Sequence, residues 1–322
     1  MYRKLWLPIS VTVFLLIIFN YIRQNNQDYI PNTKIVTASI IPFESGDDGE
    51  EEAPPQRIHP VRITGDMFFA GEEVPIYDYE VRERLDKELL KNTFWHSSTI
   101  LNYKLSNKYF EEIKAILDKN GVPQDFVYLC VAESNLQNLV SPAGAAGFWQ
   151  IMKQTGKGYG LEINDEVDER YHLLKSTEVA CQYLKEAKAK FGTWTLAAAS
   201  YNMGMGGLQN RLNDQMVDNY YDLYLNTETS RYVFRILAFK SIFENPEEFG
   251  FNFTDDDLYS SYPYEEVIQE TSIPDLAQYA IDNGTTYKMI KLLNPWLRDN
   301  SLTISTGNSY RIKIADTMEE ED

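Results

Sequence analysis

Between Val61 and Gly250 the apolar residues recur at three- and four-residue intervals and do not alternate, which predicts an almost wholly helical region. Phe110, Ile113 and Leu117 share one face of a helix for which Ser106 is the expected cap and Gly121 the stop. Pro123 suits the first turn of the next helix, whose apolar run "FVYLCVA" ends at Glu133 and Ser134. Val179, Ala180, Tyr183, Leu184 and Ala187 mark another, beginning near Ser176 and stopping at Gly192. Thr193 is placed to cap "WTLAAASYNM", which Gly204 ends. Thr229 to Pro246 reads as a long amphipathic helix closed by proline.

The pattern changes at both ends. Over residues 262–315, "YEEVIQET" and "SYRIKIA" alternate as strands do, while "IPDLAQYAIDNG" and "TYKMIKLLNPW" between them read as short helices, a βααβ unit. At the other end, residues 5–22, "LWLPISVTVFLLIIFNYI", carry no charge. As a helix they would span roughly 27 Å at 1.5 Å per residue, close to the ~30 Å hydrocarbon core of a bilayer. Arg3 and Lys4 precede the segment, and Trp6 and Tyr21 stand near its ends, where aromatic rings favour the membrane interface. Small-residue sites such as "TAS" lie far beyond it, so an uncleaved transmembrane anchor is expected in preference to a signal peptide. Residues 23–60 include the acidic run "ESGDDGEEEAPP" and too little apolar surface to fold alone, as in a linker. The expected divisions are therefore an anchor at 1–22, a linker at 23–60, a helical domain at 61–250 and a small domain at 262–315.

Composition narrows the chemistry. At 43% hydrophobic the chain can bury a sizeable core, and its net charge of -18 argues against a nucleic-acid partner. Asp165, Glu166, Asp168 and Glu169 read as a solvated acidic loop. The two cysteines, Cys130 and Cys181, fall within apolar helical patterns. Buried thiols and a disulfide both fit them. The three histidines have no metal-binding spacing, "GMGG" follows a helix and there is no G-x-S-x-G, so no metal or cofactor is expected.

One polar residue is out of place. Phe126, Leu129, Cys130 and Glu133 fall on one helical face, and the intervening positions are apolar too. Burial and the negative end of the helix dipole both disfavour a charge at Glu133, so its carboxyl should hold its proton towards neutral pH. A general acid for a glycosidic oxygen needs that property. A glutamate that escapes to solvent or pairs with an arginine is the competing reading.

The stretches "AESNLQNLVSPAGAAGFWQIM", "AAASYNMG" and "ETSRYV" resemble three successive motifs of the lytic transglycosylase (SLT) domain in the goose-type lysozyme superfamily. "RLDKELLKNTFWHSS" and "YFEEIKAILDKNGVPQDFVYLC" are similar to the approach to those motifs in the membrane-bound members. The resemblance spans roughly residues 80–245. It implies a mainly α protein: a lysozyme-like helical catalytic domain, a small α+β LysM-like domain and a transmembrane helix. By the same resemblance Glu133 matches the single catalytic acid and Ser134 the serine after it. Ser141, Gly144, Gly147 and Gln150 match a groove segment, and Met152 a groove-lining methionine. Tyr201 and Asn202 match the "Y-N-x-G" pair, and Tyr232 the tyrosine of the last motif.

Those residue types suit a sugar. Glycine permits tight turns and close backbone approach, whereas amides pair with an N-acetyl group and tyrosines stack on a pyranose. Each has a plainer reading as packing or backbone capping. The implied partner is peptidoglycan, attacked from a membrane-anchored position in a bacterial periplasm. The implied reaction has Glu133 protonate the oxygen between N-acetylmuramic acid and N-acetylglucosamine, then act as base while the muramyl C6 hydroxyl attacks C1. A muramidase of the same fold and a wall-binding protein without activity are the alternatives. "DLAQYAIDNGTTYKMIKLLNPWL" resembles a LysM glycan-binding module that lacks the usual "G-D-T-L" start.

Overall fold

The computed structural model describes residues 60–316. The expected anchor at residues 5–22 and the acidic run of the linker lie outside the described residues. Among the described residues no helix is long and apolar enough to cross a membrane.

The described chain is mainly helical. It opens with a short hairpin, β1 (Met67–Phe69) against β2 (Glu72–Val74), in the register Met67↔Val74. This hairpin corrects the expectation of an almost wholly helical region. Ala70 and Gly71 both have positive φ, which a two-residue hairpin turn requires, and strands of three residues are too short to display a period. Phe69 and Val74 are fully buried and fix the hairpin on the helices.

Helix α1 (Tyr79–Phe94) starts where the Asp78 carboxylate accepts the amides of Glu80 and Val81. Helix α2 (His96–Lys119) follows after a break at Trp95. Ser106 therefore lies inside a helix and does not cap one; its hydroxyl bonds back to the Tyr103 carbonyl at 2.7 Å. Next come α3 (Phe126–Ser134), α4 (Lys153–Gly158) and α5 (Leu173–Phe191). The last begins one turn ahead of Ser176, whose hydroxyl instead bonds back to His172. Helix α6 (Trp194–Met203) carries the expected Thr193 cap and ends at Gly204. Helix α7 (Met205–Gln215) absorbs the "GMGG" run, and α8 (Thr227–Glu244), capped by Asn226, stops just before Pro246.

Every residue of α3 from Phe126 to Ala132 is buried, so this helix is apolar all round as the pattern required. It packs against α8 and α2, and α8 also packs on α1 and α6. Each fully buried Leu, Val or Phe contributes roughly 1.5–3 kcal/mol, so the core clamps the helix that carries Glu133. Cys130 and Cys181 are both buried free thiols.

The C-terminal unit has the expected βααβ order: β3 (Tyr264–Gln269), α9 (Leu276–Asp282), α10 (Tyr287–Leu293) and β4 (Tyr310–Ala315). The strands pair antiparallel from Tyr264↔Ala315 to Gln269↔Tyr310. Its core takes in Ala146, Val167 and Tyr171 from the preceding helical region. Asp165 is exposed as expected, but the rest of the acidic run makes this seam and is not solvated. Glu166 accepts from Ser301 Oγ, Thr303 N and Thr303 Oγ1 at 2.8–3.1 Å, and Asp168 and Glu169 are buried in ion pairs with Arg170 and Lys175.

Candidate active site

Glu133 sits at the last turn of α3, half-buried while its neighbours on the helix are buried. Asn135 and Leu136 follow with φ of 53° and 55°, a left-handed pair that stops the helix at once. Non-glycine residues pay for this geometry with strain, and such pairs cluster at functional sites. Asn135 is held by Asn102, whose amide donates to its side-chain oxygen at 3.0 Å.

Helix α8 supplies the groups around the carboxyl. The Tyr232 hydroxyl donates to Glu133 Oε1. One turn on, the Arg235 guanidinium donates to the Ala132 carbonyl at the negative end of α3. Burial lifts the Glu133 pKa; the Tyr232 hydrogen bond and Arg235 hold it back, and Glu228 adds to the rise, leaving it at about 7. Desolvation thus outweighs the two groups that favour the charge. Burial and the neighbouring Glu133 push both Tyr232 and Tyr201 well above the usual phenol range, so each remains a neutral donor.

Removing the Tyr232 hydroxyl should make Glu133 harder to ionise. In Tyr232→Phe the alkaline limb of the kcat/KM profile is expected to move to higher pH. A limb that stays in place or moves down would show that this hydrogen bond does not tune the acid.

The other residues singled out in the sequence divide into two groups. Tyr201 and Asn202, from α6, stand on the Glu133 side: Tyr201 donates to the Trp149 carbonyl at 2.8 Å. Asn202 accepts from Thr229 Oγ1 at 2.8 Å and donates to Glu228 Oε1 at 3.3 Å. The second group builds the loop from Leu139 to Ile151. Ser141 Oγ accepts from Ala145 N at 3.0 Å, and Gln150 Nε2 donates to the carbonyls of Leu139 and Gly147 at 3.1 and 2.8 Å. A Cβ on Gly147, with φ +81°, would lie 1.9 Å from the Arg170 carbonyl, so that glycine is required by protein backbone. Gly144, at φ +86°, faces open space, and Met152 is 44% exposed at the start of α4. Ser134 is buried and its hydroxyl bonds back to Cys130 O at 3.2 Å, within its own helix.

Three residues of this site were not read from the sequence. Arg235 and Glu228 flank Tyr232 at the spacing of one helical turn in "ETSRYVFR", the only signal that could have found them. Arg170 is the third; its guanidinium holds the loop through the carbonyls of Gly144 and Ile151 at 2.9 and 3.2 Å. Among the described residues no group of three His, Cys, Asp or Glu is placed to hold a metal ion.

Residues 111–223 match the transglycosylase SLT domain, and residues 265–318 match the soluble lytic transglycosylase C-terminal LysM-like domain. The chain is similar to membrane-bound lytic murein transglycosylase D of Escherichia coli (strain K12), 28% identical over 289 residues. That match covers 85% of this chain and 60% of the relative, so the chain spans about three fifths of the relative's length. The same protein of Escherichia coli O6:H1 matches to the same extent. A putative tributyltin chloride resistance protein of Alteromonas sp. (strain M-1) is 26% identical over 100 residues, 30% of this chain and 48% of that one. The chain thus carries an SLT domain followed by a LysM-like domain, as the motifs implied.

Proposed function

We propose that this chain is a peptidoglycan lytic transglycosylase of the bacterial envelope, with Glu133 acting first as acid and then as base on the bond from N-acetylmuramic acid to N-acetylglucosamine. The observation that carries the proposal is the Glu133 carboxyl: held near pKa 7 at the rim of a buried helix and touched by Tyr232. A group balanced in this way can give a proton to the glycosidic oxygen and then take one from the muramyl C6 hydroxyl. Asn202 or Tyr232 would orient the substrate's N-acetyl group. The family match and the similarity to a membrane-bound murein transglycosylase support the same reading. Residues 5–22 would tether the enzyme to the membrane.

One observation favours a second reading. Glu228 is an exposed carboxylate close enough to raise the Glu133 pKa, so a water-activating partner for hydrolysis is present in principle. Product mass separates the two. Muropeptides released from sacculi and weighed without reduction are expected to be about one water, ~18 mass units, lighter than hydrolytic products, because internal attack replaces water. Reducing-end products that vanish in Glu228→Gln would make it a muramidase instead. No release at all would leave a wall-binding protein.

A further inference from the structure

A cavity of about 430 Å³ opens between the helical region and the C-terminal unit, and Glu133 is not among its lining residues. Lys108 and Tyr109 of α2 form one side, and Asn138 and Phe148 come from the segment that follows Glu133. Trp296 and Lys313 of the C-terminal unit face them. Nothing in the transglycosylase chemistry uses this space, yet its size is that of a small-ligand site.

Its charge runs against that of the chain. The molecule carries a net charge of -18, whereas four cations line the cavity; Lys175 pairs with Glu169 and Arg311 with Glu266, which leaves Lys108 and Lys313 to face a ligand. Among the described residues Lys108 forms no ion pair; its ammonium lies 4.1 Å from the Tyr262 ring centroid and 5.5 Å from that of Tyr109. Lys313 donates to the Tyr264 hydroxyl at 2.7 Å, and its nearest carboxylate, Glu112, stands off at 3.9 Å. Opposite in character, the Asn138 side-chain oxygen is buried with no hydrogen-bond partner among the described residues. A buried polar atom without a partner is costly, which points to a ligand that supplies an N–H.

A carboxylate, an amide N–H and apolar surface within one small ligand describe a peptide. We propose that this cavity binds the peptide stem of peptidoglycan, with a stem carboxylate at Lys108 and Lys313 and a stem amide donating to Asn138. The proposal rests on the transglycosylase reading for its source of ligand. It makes the seam between the two units a second grip on the wall, next to the loop that carries Gly147 and Gln150.

The test uses the full chain in detergent and stem peptides freed from sacculi by an amidase, with binding followed by calorimetry. Lys108→Gln is expected to weaken binding about tenfold, as loss of one charge-assisted hydrogen bond does. Glu112→Gln removes the carboxylate nearest Lys313, leaving its bond to Tyr264, and should tighten binding. Cleavage of stem-free glycan should be unchanged in Lys108→Gln, while cleavage of stem-bearing strands should show a raised KM. Equal peptide binding by wild type and Lys108→Gln would overturn the proposal, as would displacement of bound peptide by stem-free glycan. So would a weakened Glu112→Gln in a folded protein. If stem-free glycan yields no anhydro products while peptide binding still follows Lys108, the functional reading falls and the cavity's role stands.

Discussion

Glu133→Gln is expected to end release of anhydromuramyl products, with a loss of at least the ~10²–10⁴-fold ascribed to a positioned acid–base group. Gln keeps the shape and can still accept the Tyr232 hydrogen bond, but it can neither give the first proton nor take the second. Binding to sacculi should therefore survive. The same variant should be no less stable than the parent, and above acidic pH more stable. The folded carboxyl, raised from its ordinary 4.5 to about 7, binds its proton more tightly than the unfolded one. Below the lower value both states are protonated and the group contributes nothing. Between the two, the unfolded chain releases its proton first, so parent stability declines as pH rises, and it levels off above pH 7. The gap in melting temperature between variant and parent should open across this window. Products released as fast by the variant would remove Glu133 from the chemistry, and a gap that closes with rising pH would refute the raised pKa.

The proposed activity and the expected instability share one cause, the desolvation of a single carboxyl, and the buried helix that causes it was legible beforehand. An apolar run behind Pro123 with a glutamate at its end shows both a buried helix and its misfit residue. The C-terminal unit was legible for a similar reason: six-residue strands such as Tyr264–Gln269 are long enough to alternate. The first hairpin was not, because its strands of three residues show no period. The acidic run misled because charge is visible in a sequence and its partners are not. Asp168 and Glu169 look solvated until Arg170 and Lys175 are seen to neutralise them, and Glu166 until Ser301 and Thr303 arrive from 135 and 137 residues away. Likewise Gln150 and Gly147 suggest a sugar contact by residue type. Their neighbours show that they first fold the loop.

That loop hangs on Arg170, and its removal is expected to be the largest loss of stability among these variants. The guanidinium is buried and donates through Nε to Asp168 Oδ1 at 2.9 Å and through Nη2 to Oδ2 at 2.7 Å, a two-pronged pair. Its remaining nitrogen serves Gly144 O and Ile151 O, while its own carbonyl abuts Gly147. Asp168 in turn donates its amide to Trp296 O at 2.9 Å, so one cluster joins the loop from Leu139 to Ile151 to the C-terminal unit. Arg170→Leu would strand a buried carboxylate and two carbonyls, and breaking a buried pair from one side costs about 3–5 kcal/mol. For a chain of this size that is a fall of roughly 6–20 °C in melting temperature. Most of it comes from the orphaned charge and not from a lost attraction, because a well-placed pair gains little over apolar replacements. Adding Asp168→Leu to Arg170→Leu should therefore recover part of the loss, whereas the cleavage rate should stay low because the loop has lost its two carbonyl ties. Thermal melts and sacculus digestion of the single and double variants decide the matter. A single variant that melts with the parent, or a double variant no better than the single, would mean that Arg170 does not hold the loop in the way its bonds indicate.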